Sequence, residues 1–275
     1  MNIRSLLLIG HAKLAEEHTA KEQFPGALRI GSAGCFGTDG RYYGTCPRKA
    51  LARVLGIEEA PTLDSQIMWQ AGYRNEDTWR QLLSKSGVEF VDDLEINTIS
   101  MGTGHIVGHP DLVIKTDTGE LGLELKGIFG KSTADMVTGG RPKNDNLIQA
   151  AAYMFFLDIP FKLCYTMYHH ANGVKPFYKI FDLRWNEKVL QYRDEDAEEW
   201  IDTLVTQPGI IQFFRALRDM QLTEQLTQRP TDDFVDGTRK RGGDPCHFCP
   251  FQTACDSYDV NTNYDRWVDN CRSLV

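Results

Sequence analysis

The apolar positions of this chain change period several times, and each change marks an element. Leu121-Gly-Leu-Glu-Leu-Lys126 alternates apolar with other residues, the period-two signature of a strand with one buried face. Leu121, Leu123 and Leu125 then share one face, and Gly122, Glu124 and Lys126 share the other. Asp111-Leu-Val-Ile-Lys115 reads as the partner strand, with Asp117-Thr-Gly-Glu120 as the hairpin turn. Val88 to Val91, Asp93 to Asn97, Phe161 to Tyr168 and Phe177 to Phe181 are further strand-like runs.

Helical spacing governs the rest. Asp64 to Ser86 predicts a long helix with Ile67, Ala71, Trp79, Leu82 and Leu83 as its core stripe. Cys46-Pro-Arg-Lys49 opens a helix to about Leu55, with Pro47 suited to the first turn. Asn144 reads as the cap of a helix through Leu157. Asn186 to Thr206 and Gly209 to Met220 are read as helical, followed by a loop to Pro245. Residues before Ala27 look helical but unspecific, whereas Gly31 to Gly44 and Gly127 to Lys143 read as loops. Helices, a strand meander, one helix, two strands and a helical tail together predict an α/β core with a helical cap.

Composition narrows the class. At 275 residues, with 41% hydrophobic and 25% charged residues, the chain is of ordinary globular make-up and long enough for a substantial core. Leu6 to Ile9, the longest apolar run near the start, is too short for a signal peptide or membrane span, so the expectation is a cytoplasmic protein. Seven cysteines in such a compartment point to metal ligands or buried thiols rather than disulfides. The formal charge of −8 is awkward for binding a polyanion, yet a local cationic groove can coexist with it. Candidates for that groove are Arg48-Lys49, Lys126, Lys131, Arg141, Lys143 and Arg239-Lys240-Arg241. The acidic run Asp194 to Glu199 reads as the exposed face of a helix.

Chemistry concentrates in the hairpin. Asp111, Glu124 and Lys126 place two carboxylates and an ammonium at one sheet edge, a set able to hold Mg²⁺ or Mn²⁺ and activate water against a phosphodiester. A solvated strand face alternates in the same way, so this pattern needs company. Gln149 and Tyr153 lie four apart on the next helix and can reach phosphate oxygens or fix the attacking water; the plainer reading is a surface Gln and a core Tyr. Cys246-x2-Cys249-x5-Cys255 has metal-binding spacing but needs a further ligand. Cys46 is the better candidate for it than the crowded His247, and would close a loop of about 200 residues. Cys35 is the reserve ligand, Cys164 a core residue, and Cys271 is left over. Gly127-Ile-Phe-Gly-Lys-Ser-Thr133 imitates the end of a phosphate-binding loop, but Leu125 stands where its first glycine belongs.

Taken in order, Cys46-Pro-Arg-Lys, Gly108-His-Pro-Asp111, Glu124-Leu-Lys126, Gln149-x3-Tyr153 and the three tail cysteines resemble the PD-(D/E)xK nuclease superfamily. Within it they resemble the RecB-like branch that includes the CRISPR-associated iron–sulfur exonucleases and the AddB nuclease domain. The likeness spans about residues 46 to 255. It implies a restriction-endonuclease-like mixed sheet flanked by helices, in a single domain over 1–275. The core would run from about 60 to 185, and segments of about 30–56 and 186–260 would form a helical cap closed by a cysteine-ligated cluster. It further implies that Asp111, Glu124 and the Leu125 carbonyl bind Mg²⁺ or Mn²⁺, that Lys126 serves the hydrolytic water, and that Gln149 and Tyr153 support the phosphate. Cys46, Cys246, Cys249 and Cys255 would hold a [4Fe–4S] cluster, with zinc as the alternative. Where many members place a metal-binding His on the early helix, this chain has Asn75, so Glu76 becomes the ligand there, as in phage-type recombination exonucleases.

The implied activity is DNA hydrolysis, as an exonuclease. A non-catalytic DNA-binding module and a zinc-stapled interaction domain are the alternatives. DNA is the implied partner, with a recombinase, helicase or single-strand-binding protein beside it, in the host cytoplasm if the gene is a phage's; no membrane is implied.

Overall fold

The computed structural model describes Gly10, Lys13 and residues 26–57, 63–91, 94, 96–100, 104–168, 175–226, 249, 251–256 and 264–274. In chain order these form β1 (Leu28–Arg29), a 3-10 turn (Ile30–Ser32), β2 (Gly34–Phe36), β3 (Tyr42–Gly44), α1 (Pro47–Val54) and α2 (Leu63–Lys85). There follow β4 (Ile96–Ser100), β5 (Gly104–Gly108), β6 (Leu112–Thr116), β7 (Gly119–Gly127), α3 (Lys131–Thr138) and α4 (Asn144–Leu157). The chain then continues through β8 (Phe161–Met167), β9 (Phe177–Asn186), β10 (Val189–Asp194), β11 (Ile201–Thr206), α5 (Gln207–Thr223), α6 (Gln252–Asp256) and α7 (Tyr264–Ser273). The helical reading of residues before Ala27 falls outside the described residues apart from Gly10 and Lys13.

The architecture is mixed α/β. A six-stranded sheet runs in the order β11-β10-β9-β8-β7-β6, and smaller sheets pair β1-β5-β4 and β2-β3. Only β7 and β8 are parallel within the large sheet, because α3 and α4 carry the chain back between them. The hairpin register sets Leu112 opposite Leu123 and Ile114 opposite Leu121. Leu121, Leu123 and Leu125 then pack with Leu112, Cys164 and, from α2, Trp79 and Leu83. The opposite face of the sheet, with Leu163, Tyr165 and Phe181, joins α4 in the main core. Ala150, Ala151 and Ala152 are wholly buried, and their small side chains let α4 lie close to the sheet. Gly122 is required where it stands, since a Cβ there would lie 2.3 Å from the Phe161 ring.

Several expectations are corrected. Asn186 to Thr206 is not a helix but β10, β11 and their turns, and the acidic run therefore lies at the β10–β11 connection. Residues 31–44 hold the 3-10 turn and the β2–β3 pair, and residues 127–143 hold α3. Asn144 is the first residue of α4; Lys143 is the cap residue, and its side chain makes no capping bond. On α2, Trp79 is buried, but Ile67 and Leu82 face solvent beside Met68 and Trp69. Among the described residues no helix is long and apolar enough to cross a membrane.

Candidate metal and thiol centres

The β6–β7 hairpin brings Asp111, Glu124 and Lys126 together. Asp111 Oδ2 accepts the amide proton of Leu125 at 2.7 Å, which ties the start of β6 to β7. The Lys126 ammonium donates to Glu124 Oε1 and lies 3.9 Å from Asp111 Oδ2. Glu124 is fully buried, since parallel pairing with Leu163 turns it toward the face that α4 covers. Its second oxygen, Oε2, is buried without any hydrogen-bond partner among the described residues. Leaving a buried carboxylate oxygen unpaired is costly, and an oxygen of this kind is one that a cation could satisfy.

Electrostatics say the same. Burial first, then the Asp111 charge, pushes Glu124 up to about 8 against the opposing pull of Lys126. Burial and Asp111 likewise raise Glu76 to about 7, with Lys126 again opposing. Burial raises Asp111, while Lys126 and the Leu125 amide hold it back. Lys126 is disfavoured by burial, but Glu124 and Asp111 outweigh that and lift its pKa above the usual lysine range. Three carboxylates thus face one ammonium. If all ionise the site carries two uncompensated negative charges, which a divalent cation would neutralise.

The early helix supplies Glu76. Its neighbour Asn75 turns inward, is 3% exposed, and accepts a hydrogen bond from the Tyr168 hydroxyl at 3.1 Å. α2 is also fixed by Trp79, whose Nε1 donates to Thr166 Oγ1 at 2.8 Å. Asn75 therefore anchors the helix, and Glu76 is the residue that faces the acidic site.

On α4 the two predicted residues part ways. Gln149 is half-buried, with its amide committed to no partner among the described residues. Tyr153 is 2% exposed; its ring stacks on Phe161 and its hydroxyl donates to the His109 carbonyl at 2.7 Å. That bond holds the backbone two residues before Asp111, so Tyr153 ties α4 to the segment that carries the acid. The cationic groove is likewise altered: Arg48 is buried, and Lys131 is paired with Asp135 at 2.7 Å. Arg239-Lys240-Arg241 lies outside the described residues.

A second centre gathers thiols. Cys46 stands at the N-terminal cap of α1, Cys249 just before α6, and Cys255 on α6. Burial pushes the Cys46 thiol up to about 12, and both Cys255 and Cys249 are close enough to add to that shift. Cys246 lies outside the described residues, as does His247. Cys271, left aside by the spacing argument, joins the group. Trp267 and Cys271 are one turn apart on α7, and Trp267 Nε1 donates to Cys255 Sγ at 3.5 Å. Only the α6–α7 packing reveals this; the available signal is the four-residue interval between Trp267 and Cys271. Cys35 and Cys164 are buried, Cys35 bonding to the carbonyls of Phe36 and Thr206.

No group of three or more His, Cys, Asp or Glu stands at metal-binding spacing among the described residues. The carboxylates and thiols converge without forming finished ligand shells. For the carboxylate site the donor chemistry fits a hard cation, because the buried oxygen of Glu124 lacks a partner beside two further carboxylates. For the thiol site the soft donors fit iron–sulfur or zinc. Comparison with protein-family models, curated proteins and solved structures finds no match.

Proposed function

We propose that the chain is a metal-dependent DNA nuclease of the PD-(D/E)xK type, acting as an exonuclease on strand ends. The observation that carries this reading is Glu124 Oε2, buried and without a hydrogen-bond partner among the described residues, on a carboxylate that feels both Asp111 and Lys126. Asp111, Glu124, Glu76 and the Leu125 carbonyl would hold Mg²⁺ or Mn²⁺. When bound, the ion supplies Lewis-acid activation of the phosphodiester and of the attacking water.

The protein's own groups complete the chemistry. Lys126, held charged by its two carboxylate neighbours, stabilises negative charge that builds on the phosphate. Tyr153 fixes the His109 carbonyl and with it the approach to Asp111. Gln149, half-buried on α4 with no hydrogen bond from its amide among the described residues, would meet the DNA strand. The restriction-endonuclease-like topology of the core follows from the same reading, since β7 carries two of the site residues and α4 covers them.

Cys46, Cys246, Cys249 and Cys255 would hold a [4Fe–4S] cluster, or zinc as the alternative, that clamps the segment around α6 to the start of α1. In that role the cluster supplies folding energy rather than reaction chemistry. Digestion of end-labelled single-stranded and duplex DNA, with Mg²⁺, with Mn²⁺ and with chelator, tests the reading. Products shortening progressively from an end and abolished by chelator are expected. DNA bound but left intact in both metals would instead identify a non-catalytic module.

A further inference from the structure

Beside Lys126, on the next strand, stands a tyrosine with a proton to give and no acceptor for it among the described residues. Tyr165 is the register partner of Lys126 in the parallel β7–β8 pair, so both side chains leave the same face of the sheet. Neighbouring strands lie about 4.8 Å apart, which sets the phenol ring alongside the lysine stem. Each group influences the ionisation of the other, in keeping with that closeness. The ring packs edge-on against Phe181 with centroids 6.0 Å apart, and Tyr165 is 1% exposed.

The hydroxyl is held from two sides. Its oxygen accepts the backbone amide proton of Lys143 at 2.9 Å and an Nδ2 proton of Asn146 at 2.9 Å. A phenol has one proton to donate and two acceptor positions. Both acceptor positions are therefore filled, and Tyr165 donates to no acceptor among the described residues. Asn146 and the turn before α4 thus aim the hydroxyl as a pure donor. Glu124, the buried carboxylate on β7, accepts from Lys126 at Oε1, and its Oε2 takes no hydrogen bond among the described residues, so Tyr165 does not donate there. An acceptor that arrives from outside, anionic enough to lie against an ammonium, would complete the hydroxyl's bonding.

We propose that Tyr165 donates its hydroxyl proton to a non-bridging oxygen of the scissile phosphodiester, side by side with Lys126. This rests on the nuclease reading above and adds a substrate-contacting residue to it. Preorganised donors of this kind act on charge that grows in the transition state, and losing one typically costs about a hundredfold in rate.

The test is single-turnover cleavage by the full chain and by Tyr165→Phe, at saturating Mg²⁺. The DNA carries either an ordinary scissile phosphate or one of its two phosphorothioate diastereomers. Tyr165→Phe is expected to cleave ordinary DNA about a hundredfold slower, with unchanged DNA affinity in Ca²⁺ and unchanged Mg²⁺ requirement. On the diastereomer whose slowing Mn²⁺ does not rescue, wild type and variant should converge, since sulfur is a poor acceptor. Wild-type speed in Tyr165→Phe, or an equal loss on all three substrates, overturns the inference. Should Tyr165→Phe fail to fold, the wild-type chain decides: one diastereomer must stay slow in Mn²⁺, and full rescue of both overturns the inference. A wild-type chain inert on every substrate sinks the nuclease reading and Tyr165's role with it. An active wild type matched by Tyr165→Phe sinks the inference alone.

Discussion

Asp111 Oδ2 and the backbone amide of Leu125 are joined by a 2.7 Å hydrogen bond across the β6–β7 hairpin. The acid that begins one strand is thereby fixed to the strand that carries Glu124 and Lys126. One carboxylate oxygen is spent on alignment, and under the proposed function the charge would serve a cation. Asp111→Asn keeps an oxygen able to accept that amide proton but removes the charge. Cleavage should fall by about a thousandfold, a size typical of losing a central electrostatic group. Stability should hardly change, because burial was holding the carboxylate's charge at a cost. Rate measurements with parallel thermal melts check both halves.

Protonation gives an independent prediction about the metal-free protein. Glu124 is raised from 4.5 to about 8 and Glu76 from 4.5 to about 7, so the folded state binds more protons than the unfolded chain between those values. Stability must then fall as pH rises from about 4.5 through 8. Lys126 adds no slope there, being charged in both states below its unfolded value of 10.5. Mg²⁺ should compete with those protons and flatten the fall. Thermal midpoints from pH 5 to 9, with and without about 10 mM Mg²⁺, should show this difference. Parallel curves would count against a cation site at these carboxylates.

Much of this arrangement was legible because short-range rules set it. A period-two strand with a tight turn fixes the hairpin register, and that register puts Glu124 and Lys126 on one face. The β9–β10 hairpin is not legible in the sequence because its turn lacks the usual signal. Asn186 pairs with Val189, and Glu187 takes the left-handed conformation that Asn or Gly usually announces. α3 is not legible either, because its eight residues are bounded by Gly130 and Gly139 and so resemble a loop. Tyr165 and Cys271 depend on contacts between elements distant in sequence, which periodicity does not encode. Tyr153 was visible as one face of α4, but its bond to His109 was not.

Glu76 offers a test of how the early helix contributes. Asn75 is committed to Tyr168, and the Glu76 carboxylate is the one that responds to Asp111 and Lys126. Glu76→Gln should raise the Mg²⁺ concentration needed for half-maximal cleavage by about tenfold, roughly one metal-bound carboxylate's share. Asn75→Ala should instead lower stability by about 1 kcal/mol through the lost hydrogen bond, with a smaller effect on metal requirement. Metal titrations of the two variants separate these roles. An unchanged Mg²⁺ midpoint in Glu76→Gln would remove it from the ligand set.

The thiols predict a coloured protein. Anaerobic purification should yield iron and acid-labile sulfide in equal amounts, with visible absorbance, and Cys46→Ser should lose both along with thermal stability. Stoichiometric zinc in a colourless protein would assign a structural staple instead.

The most direct test of the central claim compares the wild-type chain with Glu124→Ala on end-labelled DNA, across a titration of Mg²⁺ and of Mn²⁺. Glu124 is the buried acid whose Oε2, without a hydrogen-bond partner among the described residues, marks the proposed cation site. Metal-dependent degradation by the wild type, absent at every metal concentration in a folded Glu124→Ala, is the predicted result. Degradation by Glu124→Ala at the wild-type rate in either metal would contradict the account.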